Sequence, residues 1–145
     1  MKPIKTWILI ADSSRAHIVE HRGPGRGLHP VANRSWSAPK PGEFEDDPGR
    51  SFSSAGAMRH KMEPHQGNVE RGDAFARALF TDLAKLKRAR QFDRLILCAP
   101  PAMLGSLRKH LPDQLTSDVT AEVAKDLVQI SPAKLPGHLA HVLAV

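Results

Sequence analysis

Apolar residues in this chain follow two rhythms, and the changes between them mark the elements. Thr6 to Ala11 (TWILIA) is a continuous apolar, β-rich run that stops at Asp12-Ser13-Ser14, residues that favour a tight turn. Arg15 to His21 (RAHIVEH) resumes a strand in which Ala16, Ile18 and Glu20 alternate with His17 and Val19, so a hairpin is expected. Gly23 to Gly27 (GPGRG) breaks the pattern. Leu28 to Trp36 can then form a third strand, which Pro30 pushes towards a sheet edge or a late start because proline cannot donate to a ladder.

The period changes after a long polar stretch, Ser37 to Asn68. Phe75, Leu79, Leu83 and Leu86 recur at i, i+4, i+8 and i+11, and Ala76 and Phe80 widen the stripe, which predicts an amphipathic helix over 69–90. Asn68 is the expected N-cap, and Lys85, Lys87, Arg88 and Arg90 complement the negative end of the helix dipole. Gly72 lowers helix propensity, so its turn is expected to be irregular or closely packed against another element. Asp93 to Ala99 (DRLILCA) has adjoining apolar residues, the mark of a buried parallel strand. Pro100-Pro101 opens a short helix over 102–110 that Pro112 ends. Thr116 to Leu127 suits a strand or a helix, and a strand through Lys125 is the expectation. Ser131 is expected to cap a last helix running to the C-terminus, with Leu135, Leu139 and Val142 on one face.

The expected order is β-β-β, long loop, α-β-α-β-α. An antiparallel three-strand meander followed by alternating helices and strands makes a mixed sheet with helices on its faces, an α/β arrangement of the ribonuclease H-like kind. One domain over residues 1–145 accommodates all of it.

Composition narrows the function classes. A formal charge of +6 and a pI near 9.9 suit anionic partners: RNA, DNA, acidic protein or a membrane surface. The single cysteine, Cys98, excludes an internal disulfide and fits a reducing compartment. It lies inside LILCA, where a thiol acts as a small apolar side chain. The apolar core at Trp7–Ala11 is too short for a secretory signal, and no run approaches the length of a membrane span. A cytoplasmic protein with no membrane association is therefore expected.

Structureless connections as long as 37–68 are uncommon in a compact domain unless they carry function. This one holds Arg50, Arg59, His60, Lys61, His65 and Gln66, with glycines at 42, 49, 56 and 67. At its junction with the helix, free backbone amides can bind an anion and Gly67 permits close approach. His65 has the chemistry of a general acid or base, Gln66 can orient a water, and Glu70 and Arg71 can position them. These four are the candidate catalytic residues, and Arg50, Arg59, Lys61, Arg77, Lys85 and Arg88 the candidate nucleic-acid contacts. The structural account of the junction is an ordinary helix cap with a solvated histidine. No metal or other cofactor is expected. A two-ion nuclease would pair Asp12 with Glu70 or Asp73, but the fourth strand ends in Cys98-Ala99-Pro100-Pro101 where a further acid is needed. His60, Glu63 and His65 match no strong zinc spacing, and Ser13 and Ser14 lack a nucleophile-elbow pattern.

The segments WILIADSSRAHIVE, HQGNVERGDAFARAL, FDRLILCAPPAMLGSLRKHL and VAKDL together resemble the bacterial host-attachment protein family over nearly the whole chain. That family is considered similar to the catalytic middle domain of archaeal and eukaryotic peptide-chain release factors. There a Gly-Gly-Gln loop precedes a helix with a Phe-Ala-Arg-like segment and promotes peptidyl-tRNA hydrolysis. Phe75-Ala76-Arg77 matches that segment, whereas Gln66 stands between His65 and Gly67 rather than after two glycines. The resemblance implies a partner in RNA or the ribosome. The competing expectation is a non-catalytic interaction or regulatory module that affects attachment indirectly.

Overall fold

The structure is a computed structural model, described over residues 3–38 and 64–145, with backbone alone for residues 64–68. Residues 39–63, and with them Arg50, Arg59, His60, Lys61 and Glu63, lie outside the described residues. Five strands form one sheet: β1 (Thr6–Ala11), β2 (Arg15–His21), β3 (His29–Ser37), β4 (Arg94–Cys98) and β5 (Val119–Val123). Their order is β3-β2-β1-β4-β5. β1 pairs antiparallel with β2 and parallel with β4, β2 pairs antiparallel with β3, and β4 pairs parallel with β5, so β2 alone runs against the rest. The hairpin, the parallel fourth strand and the edge position of the proline-bearing third strand are as expected.

The helices are α1 (Pro64–Arg88), α2 (Pro101–His110), α3 (Asp113–Thr116) and α4 (Leu135–Leu139). Both sheet faces are covered, which is why every residue of β1 is buried. One face presents Trp7, Leu9, Ile18, Leu95 and Leu97 to Phe75, Leu79 and Leu83 of α1 and to Leu104 and Leu107 of α2. The other presents Ile8, Ile10, Val19, Ile96 and Val123 to Leu127, Leu135 and Leu139. His21 Nε2 donates to the Ala144 carbonyl at 3.0 Å, tying the C-terminal stretch to β2. Trp36 Nε1 donates to Asp82 Oδ2 at 2.8 Å, tying the edge strand to α1. Among the described residues, no helix is long and apolar enough to cross a membrane.

Three boundaries differ from expectation. α1 starts at Pro64 rather than Val69, so 64–68 belong to the helix and Asn68 is an interior residue, not the cap. Proline is well placed in a first helical turn, and Gly67 weakens a helix by only about 1 kcal/mol without ending it. The fifth strand is confined to Val119–Val123, and Asp113–Thr116 forms an extra helical turn. The expected C-terminal helix shrinks to Leu135–Leu139, because Pro136 is tolerated only in a first turn and Pro132 precedes it.

α1 ends in a Schellman arrangement. The Gln91 amide donates to the Leu86 carbonyl at 3.0 Å and the Arg90 amide to that of Lys87 at 2.9 Å. Arg90 thereby takes a left-handed φ of 59°. A side chain there is strained by roughly 1–2 kcal/mol relative to glycine. Arg90→Gly is therefore expected to stabilise the protein by about 1 kcal/mol, read as a higher urea midpoint at unchanged slope.

Candidate nucleic-acid interface

The buried stripe of α1 has a polar counterpart. Arg77, Thr81, Lys85 and Arg88 follow one another at i, i+4, i+8 and i+11 and are all exposed. With the floor residues Phe80 and Ala84 they line one side of a recess of about 370 Å³. His110, Pro112 and Gln114, from the end of α2 and the start of α3, line the other. Among the described residues, three cations face this recess and no carboxylate lines it.

Three other basic residues of α1 and α2 are engaged elsewhere. Lys87 pairs with Asp118 at 3.3 Å and lies over the Phe92 ring. Arg108 pairs with Glu122, and Lys109 with Asp73 at 2.9 Å. Lys87, Arg108 and Lys109 are thus neutralised, in contrast to the Arg77–Lys85–Arg88 stripe.

The second wall is fixed by the contact between α1 and α2. Gly72 lets the helices approach: a Cβ there would lie 3.3 Å from Ser106 Oγ and 3.5 Å from Met103 Sδ. The expected close packing at Gly72 is thus realised, with α2 as the neighbour. The adjoining Asp73 is buried and accepts from Lys109 Nζ at 2.9 Å. Hydrogen bonds from Lys109 and then Ser106 outweigh its desolvation and hold its pKa at about 2, below the ordinary 3.8. His110 Nε2 lies 3.5 Å from Asp73 Oδ1, an ion-pair distance rather than a hydrogen bond, and this buried nitrogen has no hydrogen-bond partner among the described residues.

Because the folded pKa of Asp73 is depressed, its stabilisation is complete above about pH 4 and fades as pH falls through about 2. The Lys109 side chain is 64% exposed, so solvent screening reduces the gain. Asp73→Asn is expected to cost about 1 kcal/mol at pH 7. That difference should shrink steadily as denaturation series are carried down towards pH 2.

Of the residues expected to act at the loop–helix junction, His65 and Gln66 have helical backbone in the first turns of α1, and their side chains lie outside the described residues. Glu70 and Arg71 are exposed one turn further along. The amides left free by the helix start belong to residues near Pro64, not to those after Asn68. Among the expected nucleic-acid contacts, Arg77, Lys85 and Arg88 come together in the recess, whereas Arg50, Arg59 and Lys61 lie outside the described residues. Asp12 is occupied in the hairpin turn. Its Oδ1 accepts from the amides of Ser14 at 2.8 Å and Arg15 at 2.7 Å. Cys98 is fully buried, and desolvation pushes its thiol up to about 12, so it is no nucleophile. Thr81, His110 and Gln114 were not anticipated as site residues. The spacing of Arg77, Lys85 and Arg88 was a signal for Thr81, while nothing local announces the other two.

These features define a small mixed α/β domain whose helix α1 presents Arg77, Lys85 and Arg88, without an ion-pair partner among the described residues, beside a shallow recess. The chain belongs to the family described as "Protein required for attachment to host cells", whose profile matches residues 7–139. The uncharacterized protein RP470 of Rickettsia prowazekii (strain Madrid E) is 42% identical over 72 residues. That match covers 47% of this chain and 47% of the rickettsial protein, about half the length of each.

Proposed function

We propose that this protein is an RNA-binding domain of the ribonuclease H-like kind, with the recess beside α1 as its contact surface. The strand order, with only β2 reversed and helices on both faces, supports that fold assignment. The observation that carries the function is the convergence of Arg77, Lys85 and Arg88 on a recess that no carboxylate lines among the described residues, while Lys87, Arg108 and Lys109 are neutralised. Such a surface recognises a phosphate backbone by charge. Aromatic platforms for base stacking are few, since aromatics make up 5% of residues, so sequence readout is weak. The family's link with host attachment then follows indirectly, from an RNA- or ribosome-level role inside the bacterial cell.

The test is RNA binding measured across a salt series with single-stranded RNA and tRNA. Three phosphate contacts give a slope of log K against log salt of about −2. Binding that is absent, or indifferent to ionic strength, rejects the proposal. A hydrolytic role for His65, Gln66, Glu70 and Arg71, as the release-factor resemblance implies, makes a different prediction. It requires peptidyl-tRNA turnover on isolated ribosomes that is lost in His65→Ala or Gln66→Ala. Salt-dependent binding without turnover leaves the contact role alone.

A further inference from the structure

A second recess, of about 720 Å³, lies beyond the end of α1, beside the start of β1, the end of β2 and the start of β3. We propose that it is a binding site for a small phosphomonoester of mononucleotide size, held by Arg22, Arg26 and Lys5 over a floor fixed by Trp7 and Glu20. The reading is independent of the RNA surface, since no lining residue is shared between the two recesses.

The floor is rigid. Trp7 is 1% exposed and stacks on Phe92 with ring centroids 4.9 Å apart. Its Nε1 donates to Glu20 Oε2 at 2.8 Å, and the other carboxylate oxygen, Oε1, accepts from Arg22 Nε. Those hydrogen bonds, with the charges of Arg22 and Lys5, outweigh desolvation and hold the Glu20 carboxyl below its ordinary pKa. A buried indole thus orients a carboxylate, and the carboxylate orients a guanidinium. The terminal nitrogens of Arg22 make no hydrogen bond among the described residues, and its side chain is 56% exposed. This leaves the bidentate edge of the fork to a ligand.

The opposite lip comes from the glycine turn. Gly23, Gly25 and Gly27 have φ of 133°, 73° and 73°, values that side chains rarely adopt. The Arg26 amide donates to the Gly23 carbonyl at 3.2 Å, and His29 Nε2 donates to the Arg26 carbonyl at 2.9 Å. The backbone that carries Arg26 to the recess is therefore held from both sides. Lys5, Arg22 and Arg26 against Glu20 leave a net charge of two positive, the complement of a phosphomonoester carrying about −1.5 to −2 at pH 7. The apolar wall of Pro3, Pro30 and Val31 suits the organic part, and the volume falls within the usual range of about 300–1,000 Å³ for small-ligand sites.

The experiment titrates adenosine 5′-monophosphate, adenosine and inorganic phosphate into the full chain by calorimetry and amide NMR. The monophosphate is expected to bind with Kd of about 0.1–1 mM, perturbing the amides of residues 20–31, and adenosine at least about tenfold more weakly. Arg26→Gln, on an exposed turn, and Arg22→Gln should each weaken binding about tenfold, and Arg22→Lys nearly as much because it loses the fork. Glu20→Gln separates positioning from charge. Removing a negative group from an anion site tightens binding by charge alone, whereas loss of the Arg22 anchor weakens it. Weaker binding is expected, and tighter binding overturns the role given to Glu20. Unchanged affinity in both arginine variants, perturbations confined to Arg77–Arg88, or saturation by inorganic phosphate as tight as by the monophosphate each overturn the proposal. So does displacement of the monophosphate by stoichiometric oligouridylate, which assigns the recess to RNA.

Discussion

Arg77→Glu, Lys85→Glu and Arg88→Glu combined in one chain are expected to lower RNA affinity by about 100-fold or more at low salt and to flatten its ionic-strength dependence. All three side chains are exposed, and none of them takes part in an ion pair among the described residues, so the thermal transition should move little. The control is the same reversal at Lys87, Arg108 and Lys109. These three carry the same formal charge but are already matched by Asp118, Glu122 and Asp73, so reversal there should damage stability more than RNA affinity. Salt-titrated fluorescence anisotropy with both variants distinguishes a local contact surface from non-specific attraction to a basic protein. Equal loss of affinity in the two variants would show that overall charge, not the α1 recess, governs binding.

Gly72→Leu is expected to destabilise the domain by about 2–3 kcal/mol, the effect of forcing extra carbons into a packed helix contact. The first added carbon already stands 3.3 Å from Ser106 Oγ and 3.5 Å from Met103 Sδ, and the rest have nowhere to go without moving α2. Gly72→Ala is different. The gain in helix propensity, about 1 kcal/mol, opposes a clash of a few tenths of an ångström with side-chain atoms, so the net change should stay small. Urea denaturation of the two variants checks the contrast. Because the same contact sets the position of His110, Gly72→Leu should also weaken RNA binding under conditions where the protein remains folded. A tolerated leucine would mean that α1 and α2 are not in close register.

Much of the framework was legible in local pattern. The apolar run of TWILIA requires cover on both faces, and the sheet has it. Pro30 signalled an edge strand, and β3 is one of the two edges. The adjoining apolar residues of Arg94–Cys98 signalled a parallel neighbour, and β1 is that neighbour. The i, i+4, i+8 recurrence of Phe75, Leu79 and Leu83 signalled the buried face of α1. What misled was punctuation. Gly67 and Asn68 have the residue types of a helix boundary, yet proline at position 64 sets the start. At the other end, Leu135, Leu139 and Val142 have helical spacing, but Pro136 and Gly137 limit the helix to a single short segment.

The candidate site was half legible for a related reason. Arg77, Lys85 and Arg88 are visible as basic residues in a line, because positions on one helix are fixed by its 3.6-residue turn. Lys87 and Lys109 look equally available in the sequence and are not. Their partners, Asp118 and Asp73, lie 31 and 36 residues away along the chain. Likewise, the relay from Trp7 through Glu20 to Arg22 exists only because β1 and β2 pair with Trp7 opposite Glu20. Backbone periodicity and turn chemistry act over a few residues, so the elements and their buried faces can be inferred from the order of amino acids. Whether a charge is neutralised, or a recess opens beside it, depends on which distant segments meet, and that was settled by the packing of α1, α2 and the sheet.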